Sequence, residues 1–211
     1  MGKMEIKLDV NNMFVDRIGK EHGLNIEEVN SFQAKVSQAH ENIKKAEPGF
    51  MKLPFNQAEI VSEILQLVEE TKDRIDNFVV LGIGGSALGN IAMQTALNDP
   101  YYNYREDIRK GYPRLFVPDN IDPVRFRSLL DMLDLKRTLF NVISKSGGTA
   151  ETMAQYLIAR EAVAKEVGED KLKEHFIATT SEHSGYLLEI ARREDFRTFY
   201  IPEDVGGRFS V

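Results

Sequence analysis

The chain contains no cysteine. Disulfides, thiolate catalysis and zinc–thiolate sites are excluded at once, and the absence fits a cytosolic protein. No stretch approaches the roughly eighteen consecutive apolar residues that a membrane-spanning helix requires. The opening Met1-Gly2-Lys3-Met4-Glu5 is followed by no apolar signal core. It also lacks the Ser or Thr of a myristoylation motif. Positive charge is not in excess: 27 basic side chains face 33 acidic ones, for a net charge of −6. Without a basic stripe, neither nucleic acid nor an anionic membrane is an expected partner. There is no internal repeat and no low-complexity run. No histidine stands at metal-ligand spacing from a carboxylate on an expected helix, so no metal is expected. His22, His40 and His175 read as structural or surface residues. His183, in Ser181-Glu182-His183-Ser184, alone lies near the carboxyl end of an expected strand.

What is present is a hydrophobic content of 42%, enough for a real core in one domain with an appendage. Residues 1–54 read as a helical extension and 55–211 as the main domain. Ile26, Val29, Phe32, Val36, Ala39 and Ile43 recur three and four apart, predicting one helix over 25–46 with Asn25 as N-cap and Pro48-Gly49 as its stop. A second helix is expected over 56–74. From residue 78 the pattern changes. Apolar strands are expected at 78–83, 114–118, 139–144, 176–179 and 198–201, alternating with helices at 86–97, 122–133, 150–167 and 183–193. Strands that are apolar throughout and separated by helices imply parallel pairing with both faces covered. The expected fold is α/β, a three-layer αβα sandwich with a parallel five-stranded sheet. In such sheets ligands lie beyond the carboxyl ends of the strands, so the chemistry belongs just after residues 83, 118, 144, 180 and 202.

Three segments at such positions carry it. The first is Leu81-Gly82-Ile83-Gly84-Gly85-Ser86-Ala87-Leu88-Gly89. Its glycines let the backbone turn sharply and approach a ligand, and the following helix start faces it with free amides. Its plain alternative is a tight strand–helix turn capped by Ser86. Gly82, Gly84 and Ala87 also satisfy the G-x-G-x-x-A dinucleotide pattern. However, the acidic residue that pattern needs about 20 positions on is missing: Asp99 sits in a loop and Asp119 lies too far along. The second segment is Ser144-Lys145-Ser146-Gly147-Gly148-Thr149-Ala150-Glu151-Thr152. Hydroxyls, an ammonium and backbone amides at a helix start suit a phosphate monoester. It is not a P-loop, because the lysine precedes the glycines. The third is Val205-Gly206-Gly207-Arg208-Phe209-Ser210, where a guanidinium flanked by glycines can stabilise an oxyanion. As a surface turn, it would leave that arginine solvated.

Together these segments resemble the glucose-6-phosphate isomerase family, specifically its N-terminal sugar-isomerase domain, over roughly residues 55–211. The joint occurrence of Gly-Gly-Ser-Ala-Leu-Gly and Gly-Gly-Arg-Phe-Ser carries the resemblance. It implies a soluble cytoplasmic enzyme of glycolysis and gluconeogenesis, a homodimer when full length, needing no cofactor. The implied substrates are glucose 6-phosphate and fructose 6-phosphate. By resemblance, Gly84, Gly85 and Ser86, with Ser144, Lys145, Ser146 and Thr149, hold the substrate phosphate. Glu151 lines the sugar site, and Arg208 with the Gly207 amide faces the reacting carbons. The family's C–H base and its ring-opening histidine and lysine lie downstream of this signature. The implied chain is therefore a truncated portion that binds sugar phosphate and lacks the base. A non-catalytic sugar-phosphate-binding regulatory module of the same fold is the alternative.

Overall fold

The computed structural model describes residues 7–207. The chain divides into two compact units, residues 1–48 and 49–211. In the first, a short helix α1 (Val15–Ile18) precedes α2 (Ile26–Ser31) and α3 (Gln33–Ala46). Asn25 starts α2 with a complete capping box: its side chain accepts from the Glu28 amide at 2.8 Å, and the Glu28 carboxylate accepts from the Asn25 amide at 2.9 Å. The single helix expected over 25–46 is broken at Phe32. Ser31 Oγ donates to the Glu28 carbonyl at 2.7 Å, competing for the acceptor that the Phe32 amide would use in a continuous helix. That amide turns to the Val29 carbonyl instead. Helix α3 ends at Ala46, and its C-cap Glu47 takes the left-handed region one residue before Pro48.

In the second unit, α4 (Ala58–Thr71) leads into β1 (Asn77–Leu81), α5 (Gly85–Leu97), the short α6 (Glu106–Arg109) and β2 (Arg114–Phe116). There follow α7 (Pro123–Met132), β3 (Thr138–Ser144), α8 (Ala150–Val167), β4 (Phe176–Thr180), α9 (Tyr186–Arg193) and β5 (Arg197–Tyr200). All five strands are parallel, in the order β2-β1-β3-β4-β5. The order reverses between β1 and β3. That is the topological switch point where doubly wound sheets open a crevice at their carboxyl edge.

Register at the opposite edge is pinned by buried polar links. Asn77 on β1 donates to Thr138 Oγ1 on β3 at 3.0 Å and accepts from Arg114 Nε on β2 at 2.8 Å. His175 is buried and its Nδ1 lies 2.9 Å from the Thr138 carbonyl. A carbonyl only accepts, so Nδ1 carries the proton and this histidine is structural. Asn103 pairs with both main-chain groups of Leu115, at 2.7 and 2.9 Å, so the Tyr101–Tyr104 insertion protects the outer edge of β2.

One sheet face packs under α7, α8 and α9. Its centre is aromatic: Phe140 stacks on Phe176 at 5.3 Å and Tyr156 meets Phe176 edge-on at 5.5 Å. Burial pushes the Tyr156 hydroxyl up to about 12 from an ordinary value of 10.0. The unfolded tyrosine ionises first as pH rises, so stability that is full below pH 10 is lost as pH climbs towards 12. The loss amounts to about 2–3 kcal/mol. Urea titrations at pH 9 and pH 11.5 should show a shallower alkaline decline for Tyr156→Phe than for the parent chain.

The other face carries Phe78, Ile143, Ile177 and Phe199, flanked by Ile60 and Ile64 of α4 and Met93 and Leu97 of α5. These residues line a cavity of about 870 Å³. Among the described residues, no helix is long and apolar enough to cross a membrane.

Candidate functional site

Both hydroxyl- and glycine-rich turns flank the switch point, one after β1 and one after β3. The register aligns them, since Leu81 at the end of β1 pairs with Val142 of β3. After β1 the chain turns through Gly84 at φ 58°, ψ −122°, a conformation only glycine adopts readily. Helix α5 then begins at Gly85. Ser86 does not cap it: the start carries no side-chain cap bond, and the Ala87 and Leu88 amides turn to the Gly84 carbonyl. Gly84 is exposed, and Gly85 and Ser86 are half-buried at one end of the cavity.

After β3, Ser144 is buried and Thr180 Oγ1 donates to its carbonyl at 2.7 Å. Its hydroxyl meets Thr149 Oγ1 at 3.1 Å and Ser146 Oγ at 3.5 Å, and the last two lie 3.5 Å apart. Three hydroxyls thus converge where α8 begins. Thr149 occupies the N-cap position of α8 without making a capping bond, although Asn25 and Asp122 each cap their own helices. Uncapped amides, a helix dipole and a ring of hydroxyls are the donors that a phosphate dianion needs.

The turn is held from beneath by a residue the sequence pattern does not flag. Gly185 has φ 116°, and a Cβ there would stand 2.7 Å from the Ser146 carbonyl oxygen. The Leu187 amide donates to the Gly147 carbonyl at 3.0 Å. This close approach explains why α9 begins at Tyr186 rather than at 183, as expected. Residues 181–184 serve as a loop behind the turn. The signal was a lone glycine just before a helix. His183, with an exposed side chain, stands 4.0 Å from the Glu182 carboxylate.

Glu151 is exposed in the first turn of α8, where the helix dipole favours a carboxylate. Lys145 is committed elsewhere: its ammonium donates to the carbonyls of Glu203 at 2.6 Å and Val205 at 2.7 Å. Gly207 is exposed at the end of that loop, and Arg208 lies outside the described residues.

The fold and these loops define a doubly wound α/β domain whose switch-point crevice is built from anion-suited turns. The same combination is found in known proteins. The chain belongs to the phosphoglucose isomerase family, whose model matches residues 58–211. Glucose-6-phosphate isomerase of Carboxydothermus hydrogenoformans is 43% identical over 98% of this chain, which covers 45% of that protein. The Rubrobacter xylanophilus glucose-6-phosphate isomerase is 38% identical over 90% of this chain and 44% of its own length. Among solved structures, a hypothetical protein from Thermus thermophilus superposes with a TM-score of 0.74 at 34% identity, over 87% of this chain and 42% of that one. A glucose-6-phosphate isomerase from Chlamydia trachomatis gives 0.56 at 32% identity, over 71% and 27%. The chain thus spans less than half the length of these relatives.

Proposed function

We propose that this chain is the sugar-phosphate-binding portion of an isomerase that interconverts glucose 6-phosphate and fructose 6-phosphate. The observation that carries the proposal is the convergence of the Ser144, Ser146 and Thr149 hydroxyls at the uncapped start of α8. Its position beside the Gly84–Ser86 turn, at the β1/β3 switch point, supports a ligand with a phosphate and a polyol body. The activity for which the relatives are named supplies the identity of that ligand.

In this reading the hydroxyls and the amides of the two helix starts grip the phosphate. Glu151 meets the sugar, and Arg208 with the Gly207 amide faces the carbons that exchange a proton. Aldose–ketose isomerisation runs through an enediolate and needs a base at the C–H, a stabiliser for the oxyanion and an acid/base pair to open the ring. Residues 1–211 supply the grip and the stabiliser, and the base lies in the part of the family's length that this chain does not span. A regulatory module that only senses sugar phosphate is disfavoured by the Gly206-Gly207-Arg208 signature, because sensing needs no oxyanion stabiliser.

Thr149→Ala tests the grip. One hydroxyl donor to a charged acceptor contributes about 1.5–3 kcal/mol, so calorimetric titration should show phosphate and fructose 6-phosphate binding weaker by roughly ten- to hundredfold. The melting temperature should fall by no more than a few degrees, because Thr149 makes no capping bond and gives up chiefly its contact with the Ser144 hydroxyl. Equal affinity of variant and parent would remove Thr149 from the site.

A further inference from the structure

We infer that Lys145 is a positioning residue that ties the loop after β5 to the hydroxyl-rich turn after β3, and is not itself a phosphate ligand. The strut stands on geometry alone, and the statement about phosphate rests on the site proposed above. A lysine beside a phosphate site would ordinarily be read as charge for the anion. Here its ammonium faces backbone carbonyls, donating to Glu203 at 2.6 Å and Val205 at 2.7 Å. Two charge-assisted bonds to groups two residues apart fix the turn that those residues form. Val205 is fully buried and its amide closes the turn onto the Pro202 carbonyl at 3.1 Å. At the other end of the lysine, its own carbonyl accepts from the Ser181 amide at 3.3 Å, which anchors it to the end of β4. The side chain is therefore a strut between the turn that starts α8 and a loop 58 to 60 residues further along the chain. Gly206 and Gly207 follow Val205 directly, so the strut sets where these two glycines depart from the sheet.

Amide hydrogen exchange on the 211-residue chain, without ligand, tests the strut. Exchange at Val205 is read relative to Ile201, whose amide is held in the sheet by the Thr180 carbonyl at 2.9 Å, so that a general loss of stability cancels. Lys145→Met should speed Val205 exchange at least about tenfold relative to Ile201, the equivalent of losing a charge-assisted hydrogen bond. Lys145→Arg, which keeps two donors on a cation, should restore most of the protection. A parallel titration with inorganic phosphate should show Lys145→Met weaker by no more than about fivefold, as for an exposed charge at a distance. Unchanged Val205 exchange in Lys145→Met overturns the inference, and so does a loss of phosphate affinity approaching a hundredfold. A parent chain that binds no phosphate counts against the phosphate site alone, and the exchange result still decides the strut.

Discussion

Purified free of host isomerase, the 211-residue chain is expected to interconvert glucose 6-phosphate and fructose 6-phosphate no faster than buffer does. In the proposed reading, substrate can be gripped through its phosphate and the enediolate oxygens can meet a guanidinium. In that same reading, no base held against the C–H is among residues 1–211. General-base assistance contributes about 10²–10⁴ in rate, and accurate placement of the reacting groups contributes more. A side chain that is merely nearby does not substitute. Glu151 is the nearest carboxylate in sequence to the turn, but it is exposed at the first turn of α8. A coupled assay at high protein concentration decides the matter. Turnover near that of a complete isomerase would place the base within residues 1–211 and make Glu151 the first residue to replace.

Arg208→Lys in a full-length enzyme carrying this sequence is expected to cut kcat by about 10²–10³, the usual loss when an oxyanion donor is removed, with KM changed far less. The charge is kept, so the prediction turns on shape. A planar guanidinium presents parallel donors to two adjacent oxygens, whereas an ammonium is a point charge that follows only one of them. The phosphate grip is equally engaged in ground and transition states, so its loss in Thr149→Ala should appear chiefly in KM. The two variants together therefore separate binding from chemistry. Wild-type kcat in Arg208→Lys would end the stabilising role, and a raised KM with unchanged kcat would move the arginine to the binding side.

The strands were legible because each is a short apolar run between helical stretches. All five lie within two residues of the expected bounds. Their spatial order was not legible: nothing local in β1 says that β2 lies on one side and β3 on the other. Yet that order is what brings the first two loops to one crevice. The hydroxyl group of Ser144, Ser146 and Thr149 could be read because it is built from six consecutive residues, and a short loop cannot scatter its own side chains. Lys145 could not. Its bonds run to carbonyls 58 and 60 residues away, and a cation among hydroxyls reads by default as an anion ligand. Gly185 was missed for a related reason. Its role is steric, set by the Ser146 carbonyl across the loop, and a glycine carries no chemistry to announce a close approach. The break at Phe32 turns on Ser31, a single hydroxyl competing for one carbonyl, which a hydrophobic stripe does not register.

The most direct measurement is an NMR titration of the isotope-labelled 211-residue chain with fructose 6-phosphate, mapped by residue and repeated with inorganic phosphate. Saturable shifts should concentrate at the amides of Gly84, Gly85 and Ser86 and of Ser146, Gly147 and Thr149. The sugar phosphate should add shifts at Glu151 and Gly207 that phosphate alone does not produce. No saturable shift at millimolar ligand, or shifts confined to the apolar cavity around Phe78, Ile177 and Phe199, would contradict the assignment of a sugar-phosphate site to the β1/β3 crevice.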